Sequence, residues 1–402
     1  MTHEIPVVLP RTEPAMTQYP TWFDAEDDRT ALAAWSRLTE PCDPAAVRWI
    51  DSCGPAGALR RLLAGAGASC GEPGPEHRAR WGVRLPCLDP VRDLRTLSGA
   101  GGRLLVPGDR QWPDDLDLLG PRRPLCLWVI GAGDLRRACE KGVCLVGARA
   151  STGYGERLAR NLAAGCVERG YSVVSGAAYG IDGTAHRATL AADGVTVAVL
   201  ACGVDRTYPR GHDHLFARIK ERGCLVSEIP PGSAPTRWRF IRRNRLIAAL
   251  GKVTVVVEAA WRSGTMITAR EAAELGRPVG AVPGPVTSAA SAGCHRLLRD
   301  GATCVTDCAE IAELLAPIGT DLSDPVTAPT AEHDGLSCPD LRVLDAVPLR
   351  RPVALGPLCR AAGLTETDVS AALGRLVLRG LVHREGTGWC RRRPGRPQDR
   401  EH

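Results

Sequence analysis

The stretch of this sequence most suited to chemistry is RWRFIRRNRLIAALG, residues 237–251. It places five arginines and Asn244 around Trp238 and Phe240, with no acid between them. Guanidinium groups bind phosphates through paired hydrogen bonds, and aromatic rings offer stacking surfaces to unpaired bases. The alternative is a solvated helix start with Phe240 in the core. We interpret the segment as a nucleic-acid-binding cluster, because no acidic side chain offsets its charge.

A weaker basic patch precedes it, DRTYPRGHDHLFARIK at residues 205–220, which offers Tyr208 and Arg210. Two aspartates within the patch, Asp205 and Asp213, reduce its charge. We expect this patch to support the cluster at 237–251.

Four turns rich in glycine or small residues follow apolar runs, at residues 147–152, 175–182, 263–265 and 283–284. Such turns let a ligand approach the backbone, and the N–H groups at a helix start favour anions. The turn SGAAYGID, residues 175–182, is therefore expected to offer backbone donors to a phosphate. Within the helix that follows, Asp182 is expected to accept N–H groups and His186 to pack below it.

Known nucleotide fingerprints do not fit these turns. The glycine spacing G-x-G-x-x-G is absent after every strand-like run, and no Walker lysine follows a glycine loop. We therefore predict no nucleotide cofactor and no phosphoryl transfer.

The elements that must position these turns alternate between short apolar runs and amphipathic helical stretches. Seven β-branched runs, among them GVCLVGA, YSVVSG and KVTVVVEA, read as strands buried on both faces. This alternation predicts an α/β domain with a Rossmann-like, doubly wound, mostly parallel sheet, which binds ligands at the carboxyl ends of its strands.

Changes in composition and hydrophobic pattern divide the chain into segments. The predicted order is a disordered tail at 1–24, a small helical domain at 25–85, the Rossmann-like domain at 86–316, a proline-rich linker at 317–335, a winged helix at 336–392 and a tail at 393–402. The helical domain resembles a helix-hairpin-helix or SAM-like unit, but a plain packing domain fits equally well. The third helix of the predicted winged helix is mostly apolar. This domain is therefore as consistent with a protein-binding module as with a DNA-binding one.

Composition excludes several classes of protein. The net charge of +6 permits an anionic partner, and the 16 cysteines include no C-x-x-C pair. Reduced structural thiols are therefore predicted rather than a metal site. No signal peptide or apolar run of membrane-spanning length is evident, which predicts a cytoplasmic protein without a membrane partner.

Read in order, these motifs resemble the DNA processing protein A family (DprA, also called Smf). The matching series includes VGAR at 146–149, SGAAYGIDGTAH at 175–186, FIRRNRLIA at 240–248 and SGTMITAREA at 263–272. The resemblance implies a protein, not an enzyme, that binds and protects single-stranded DNA and helps load the RecA recombinase in DNA recombination and natural transformation. It also implies a homodimer formed through the Rossmann-like domain.

Transferred by position, the family's motifs predict a nucleic-acid-binding set with no catalytic or metal-binding member. The predicted set comprises Gly147, Arg149, Ser175, Gly176, Tyr179, Tyr208, Arg210, Phe240, Arg242, Arg243, Asn244, Arg245, Ser263, Gly264 and Thr265. Four positions depart from the family pattern: Ala148, Tyr179, Ile241 and His295. Tyr179 stands where the family has an arginine. Either its ring stacks on a base, or the positive charge that this turn lacks is supplied by the arginines at 242–245.

Two other functions compete with this one. The fold also resembles nucleotide-cleaving hydrolases of the lonely-guy type, whose PGGxGTxxE loop corresponds here to WRSGTMITARE. The double glycine is missing, and Glu271 lies six residues after Thr265 instead of three. A third possibility is an adaptor whose terminal domains dock recombination proteins.

Overall fold

The computed structural model describes residues 20–21, 24, 27–65, 73–316 and 335–392. These residues form two compact units, one ending at residue 316 and the other beginning at residue 335. Apart from residues 20, 21, 24 and 335, the predicted tails at 1–24 and 393–402 and the predicted linker at 317–335 lie outside the described residues.

The larger unit begins with five helices that pack against one side of its sheet. They are α1 (Asp28–Leu38), α2 (Pro44–Cys53), α3 (Pro55–Leu63), α4 (Pro75–Gly82) and α5 (Pro90–Gly99). Asp27, Asp43 and Asp89 cap three of them, each with a side chain that accepts a backbone N–H of the first turn. These helices share one hydrophobic core with part of the sheet, so the predicted boundary at 85/86 stays a prediction.

A nine-stranded sheet forms the centre of the larger unit. Its strands are β1 (Gly102–Leu105), β2 (Leu127–Ile130), β3 (Gly142–Gly147), β4 (Ser172–Ser175), β5 (Thr196–Val199), β6 (Cys224–Ser227), β7 (Val253–Glu258), β8 (Val279–Ala281) and β9 (Thr303–Cys304). Their order across the sheet is β1-β2-β6-β5-β4-β3-β7-β8-β9. The seven strands from β6 to β9 in that order are parallel, and β2 pairs antiparallel with β6.

Helices cover both faces of this sheet. They are α6 (Leu135–Glu140), α7 (Gly153–Glu168), α8 (Ile181–Ala191), α9 (Asp213–Arg222), α10 (Arg237–Leu250), α11 (Thr265–Glu274), α12 (Ala292–Arg299) and α13 (Cys308–Leu315). Alternate strand residues separate the two cores. Val143 and Leu145 pack with α7 and α8, whereas Cys144 and Val146 pack with α10 and α11.

The predicted α/β chain, with a mostly parallel sheet and a helical N-terminal region, is confirmed at this level of detail. All seven predicted strands form. The sequence did not predict the edge strands β1 and β9, nor the antiparallel placement of β2, because short edge strands carry too little pattern.

The smaller unit consists of three helices and a hairpin. They are α14 (Cys338–Ala346), α15 (Leu355–Ala362), α16 (Glu366–Leu378), β10 (Val382–Glu385) and β11 (Gly388–Arg391). Thr365 caps α16, with its Oγ1 accepting the Asp368 N–H, and the inward faces of the three helices form a core of their own.

Candidate nucleic-acid interface

The predicted binding turns meet at one edge of the sheet. Because β3 to β9 are parallel, the carboxyl ends of β3, β4, β5 and β7 lie at the same edge of the sheet, and so do the turns that follow them. The chain first builds outward from β3 to β6 and then returns to place β7 on the other side of β3. Such a reversal opens a crevice at the strand ends, the usual ligand position in open α/β sheets.

Phe240, in the first turn of α10, organises the exposed part of this edge. The Arg149 guanidinium lies 4.8 Å from the Phe240 ring centroid, and the Tyr208 ring lies 5.6 Å away at a tilt of 54°. Arg149 and Arg210 are exposed, and Tyr208 keeps 45% of its surface open to solvent. The turns after β3 and β5 thus bring Arg149 and Tyr208 together on the Phe240 ring of α10.

Tyr179 extends this surface from the turn after β4. Its ring is 50% exposed and packs edge-on against His212 at 4.9 Å, while its hydroxyl accepts the Gly211 N–H at 3.3 Å. The ring is therefore held in one orientation with a face open to solvent. We call Arg149, Tyr179, Tyr208, Arg210 and Phe240 the strand-end surface.

Arg243 lies beneath the strand-end surface and is only 5% exposed. It donates to Gly176 O at 2.7 Å and to Val199 O, the carbonyls that end β4 and β5. Burial lowers its pKa to about 10, against the opposing charge of Asp182. Because the Arg243 guanidinium binds both carbonyls, it holds the turns after β4 and β5 in position.

Asp182 completes this buried layer. Burial raises the pKa of its carboxyl, which Arg243 and the N–H groups of Ala178, Gly147 and Gly176 partly offset. The predicted packing role of His186 is confirmed, since it is fully buried with Nδ1 2.7 Å from Thr196 Oγ1, whereas Asp182 accepts the Ala178 N–H of the preceding turn and not an N–H of the helix start. The expectation that turn 175–182 offers backbone donors to a phosphate needs correction, because two of its N–H groups already bind within the protein, Ala178 N to Asp182 Oδ2 at 3.4 Å and Ile181 N to Ala148 O at 3.2 Å.

Arg245 is 1% exposed and forms a two-point ion pair with Glu228, at 2.7 and 2.6 Å. Burial acts to lower its pKa, but the Glu228 charge and hydrogen bonds outweigh burial and raise it. Glu228 directly follows β6, so the pair joins α10 to that strand end. Glu228, the acid that neutralises this arginine, lies nine residues before the cluster at 237–251. The absence of acids within the cluster therefore did not predict that Arg245 is unpaired.

The predicted binding set therefore falls into three groups. Five members are exposed: Arg149, Tyr179, Tyr208, Arg210 and Gly264. Five are half-buried: Gly147, Phe240, Arg242, Asn244 and Ser263. Five are buried: Ser175, Gly176, Arg243, Arg245 and Thr265. The interpretation of residues 237–251 as an open arginine cluster is corrected, because Arg243 and Arg245 point into the protein and Arg239 pairs with Glu40.

Two supporting residues were not singled out in the sequence. Glu258, buried at the end of β7, accepts Thr152 N and Oγ1 at 2.9 and 2.8 Å, and Ala148 N donates to its backbone carbonyl at 2.7 Å. His212 Nδ1 lies 3.1 Å from Ala177 O. An acid that ends an otherwise apolar strand is the one signal that could have identified Glu258.

Gly180 permits the close approach of two turns, which yields a stability prediction. Its φ is +77°, and a Cβ there would lie 2.3 Å from Ala148 O. We expect Gly180→Ala to lower the free energy of unfolding by about 2 kcal/mol or more, measured by guanidinium denaturation. Gly153→Ala is the matched control, since a Cβ there meets nothing within 4 Å. Equal stability of the two variants would refute this role for Gly180.

His186 should make stability depend on pH. Burial lowers its pKa to about 3, from an ordinary value of 6.5. Between these values the unfolded chain holds one more proton, so stability falls as pH falls, by about 1.4 kcal/mol per pH unit. We expect the wild type to lose about 2 kcal/mol more than His186→Asn between pH 6.5 and 5. Parallel pH profiles in urea denaturation would contradict this.

Within the described residues there is no group of three or more His, Cys, Asp or Glu side chains placed to hold a metal ion. Nor does that part of the chain contain a helix long and apolar enough for a membrane span. Glu271, the acid of the competing hydrolase interpretation, is held by Arg122 at 2.9 and 3.1 Å.

The larger unit matches the family model described as DNA recombination-mediator protein A over residues 103–316, just over half of the chain. The chain belongs to this family. DprA of Mycobacterium tuberculosis strain H37Rv is 42% identical over 378 residues, covering 92% of this chain and 95% of that protein. Protein Smf of Escherichia coli K12 is also 42% identical, over 52% of this chain and 56% of its own length.

The DprA family fold is also found in a solved structure. The X-ray structure of DprA from Streptococcus pneumoniae covers 70% of this chain and 95% of its own, with a TM-score of 0.58 and 28% identity. The sequence-based assignment to the DprA/Smf family is thus confirmed. Asp182 and Arg243, which form the buried layer under the strand-end surface, lie within the matched region.

Proposed function

We propose that this DprA-family protein binds single-stranded DNA across the strand-end surface. The observation that carries the proposal is the joint placement of Arg149 and Tyr208 on the Phe240 ring, exposed at the carboxyl edge of a parallel sheet. Arg149 and Arg210 would contact phosphates, and Tyr179 and Tyr208 would stack on bases. Open ring faces favour a single strand, since the bases of a duplex already stack on each other.

The buried members of the predicted set take a positioning role in this proposal. Arg243 ties the turns after β4 and β5 together, and Arg245 fixes α10 to the end of β6. Thr265 Oγ1 donates to Gly147 O at 3.0 Å, and Ser175 Oγ donates to Leu145 O at 2.6 Å. These contacts hold the exposed side chains in place before DNA arrives, which lowers the entropic cost of binding.

We also propose the remaining features that the family resemblance implies. The protein binds DNA without catalysing a reaction, protects the strand, and helps load RecA onto it in the cytoplasm during recombination and natural transformation. It self-associates as a homodimer through a Rossmann-like larger unit, and residues 336–392 form a winged helix that contacts protein or DNA. Two exposed apolar side chains at the end of α16, Val377 and Leu378, support protein contact.

Binding should be weakened by salt and largely independent of sequence. With phosphate contacts from Arg149 and Arg210, the logarithm of the association constant should fall with log salt at a slope of about −1.4. Fluorescence anisotropy of labelled oligothymidine and of a mixed-sequence oligonucleotide measures this slope, with a duplex of equal length as the control. Absence of binding to oligothymidine at low salt, or equal affinity for the duplex, would refute the proposal.

A further inference from the structure

Trp261 is an exposed aromatic residue that the strand-end surface does not include. It lies in the turn after β7, at the same carboxyl edge, with 52% of its surface open to solvent. The Arg296 guanidinium, from α12, lies 5.3 Å from its ring centroid. An exposed indole paired with a guanidinium repeats the arrangement of Phe240 with Arg149.

The turn that carries Trp261 is tied to its surroundings on three sides. Gly293 N, in α12, donates to Ala259 O at 2.7 Å. Asn244 Nδ2, in α10, lies 3.4 Å from Gly264 O, and Thr265 Oγ1 binds Gly147 O. The turn therefore holds a fixed position beside the turn that carries Arg149.

The two surfaces are continuous along the edge of the sheet. β3 and β7 are paired neighbours, with Gly147 opposite Glu258, and neighbouring strands lie about 4.8 Å apart. Arg149 follows β3 by two residues and Trp261 follows β7 by three. A strand that passes over Arg149 needs only a short continuation to reach Trp261.

A second exposed indole occurs in the first turn of α10. The Arg242 guanidinium lies 4.0 Å from the Trp238 ring centroid, and Phe240, two residues on, belongs to the strand-end surface. Three aromatic rings, Trp238, Phe240 and Trp261, thus each lie 4.0–5.3 Å from an arginine guanidinium that is not fully buried. Repeated stacking surfaces with positive charge are what an extended single strand requires.

The charge around Trp261 also favours nucleic acid. Arg262 and Arg296 are exposed, and the acid paired with this group is Asp300, 3.4 Å from Arg296. Exposed tryptophan and arginine are common at protein interfaces too. Continuity with the strand-end surface and the surplus of positive charge make nucleic acid the better occupant.

We propose that Trp261 and Arg296 form a second stacking site, which takes an unpaired base of the same strand beyond the strand-end surface. This inference rests on the proposed function and deepens it, because it extends the bound strand from the β4–β5 side of the edge to the β7–β8 side. Trp261 supplies the stacking face, and Arg296 supplies a contact to the adjacent phosphate.

The test compares oligothymidines of increasing length, from about 4 to 20 nucleotides, by fluorescence anisotropy with the full chain. We expect Trp261→Ala to weaken binding of the longest oligomer by about 10-fold or more and to leave the shortest nearly unchanged. Trp261→Phe should retain most of the affinity, and Arg296→Ala should reduce it. Arg299→Ala, an exposed arginine one turn further along α12, is the matched control.

A crosslinking measurement identifies the contact itself. Long oligonucleotides that carry 5-iododeoxyuridine should form photocrosslinks to a peptide containing Trp261, and Trp261→Ala should abolish that product. If the wild type binds DNA but Trp261→Ala matches it at every length, the second site is refuted and the proposed function stands. If that variant instead dissociates a dimer in sedimentation, Trp261 belongs to a protein interface. If the wild type binds no oligomer, the proposed function itself fails.

Discussion

Replacing Arg245 with methionine should lower the free energy of unfolding of the larger unit by about 3–5 kcal/mol. The substitution leaves the Glu228 carboxylate buried without its partner, and a buried uncompensated charge costs that much. Guanidinium denaturation followed by circular dichroism measures the change. The folded variant should also bind DNA more weakly, because α10 and the Phe240 ring are no longer held at the end of β6.

Two further variants separate the charge effect from a packing effect. The double variant Glu228→Gln with Arg245→Met removes both charges and should recover most of the lost stability. Arg136→Met breaks an ion pair with Asp114 at the surface and should change stability by about 1 kcal/mol or less. Equal stability of Arg245→Met and Arg136→Met would show that the buried pair does not fix α10 to β6.

Replacing Arg149 with alanine should weaken oligothymidine binding by about 10- to 100-fold without changing stability. The variant loses a charged contact to phosphate, worth about 1.5–3 kcal/mol, and the guanidinium that covers the Phe240 ring. The slope of affinity against salt should shrink by about 0.7, the value for one lost phosphate contact on a single strand. Anisotropy titrations at three or more salt concentrations measure both quantities.

The control for Arg149 is Arg222, an exposed arginine at the end of α9, beside the opposite edge of the sheet. Arg222→Ala makes the same change in net charge and should alter affinity by less than about twofold. At the opposite edge of the sheet, the interaction of this charge with the bound DNA is screened by salt. Similar losses in both variants would mean that overall charge, not the strand-end surface, determines binding.

The sequence predicted the central strands and the edge at which the binding turns meet. Runs such as GVCLVGA and KVTVVVEA are continuous and β-branched because parallel strands are buried on both faces, and that pattern is local. The parallel arrangement then places turns 147–152 and 175–182 side by side. The first step requires only residues that are neighbours in the chain, and the second follows from the rule that parallel strands place their carboxyl ends at one edge of the sheet.

The sequence could not divide the arginines of α10 into exposed and buried ones. The charge of Arg243 is opposed by Asp182 and its N–H groups bind two strand-end carbonyls, whereas Arg245 pairs with Glu228. All of these partners belong to other elements. Helical periodicity alone gives no sign that a charged side chain will be buried. For the same reason the pairing of Trp261 with Arg296, 35 residues apart, emerged only from the fold.

Hydrogen exchange of the full chain, with and without a saturating 20-nucleotide oligothymidine, tests most directly where the strand lies. Binding across the strand-end surface predicts slower amide exchange in residues 147–152, 176–180 and 204–211, at the carboxyl edge of the sheet. Exchange at the amino edge, in residues 193–196 and 222–224, should stay unchanged. DNA binding that slows exchange only in residues 335–392, or only in α1 to α5, would contradict the assignment of the interface.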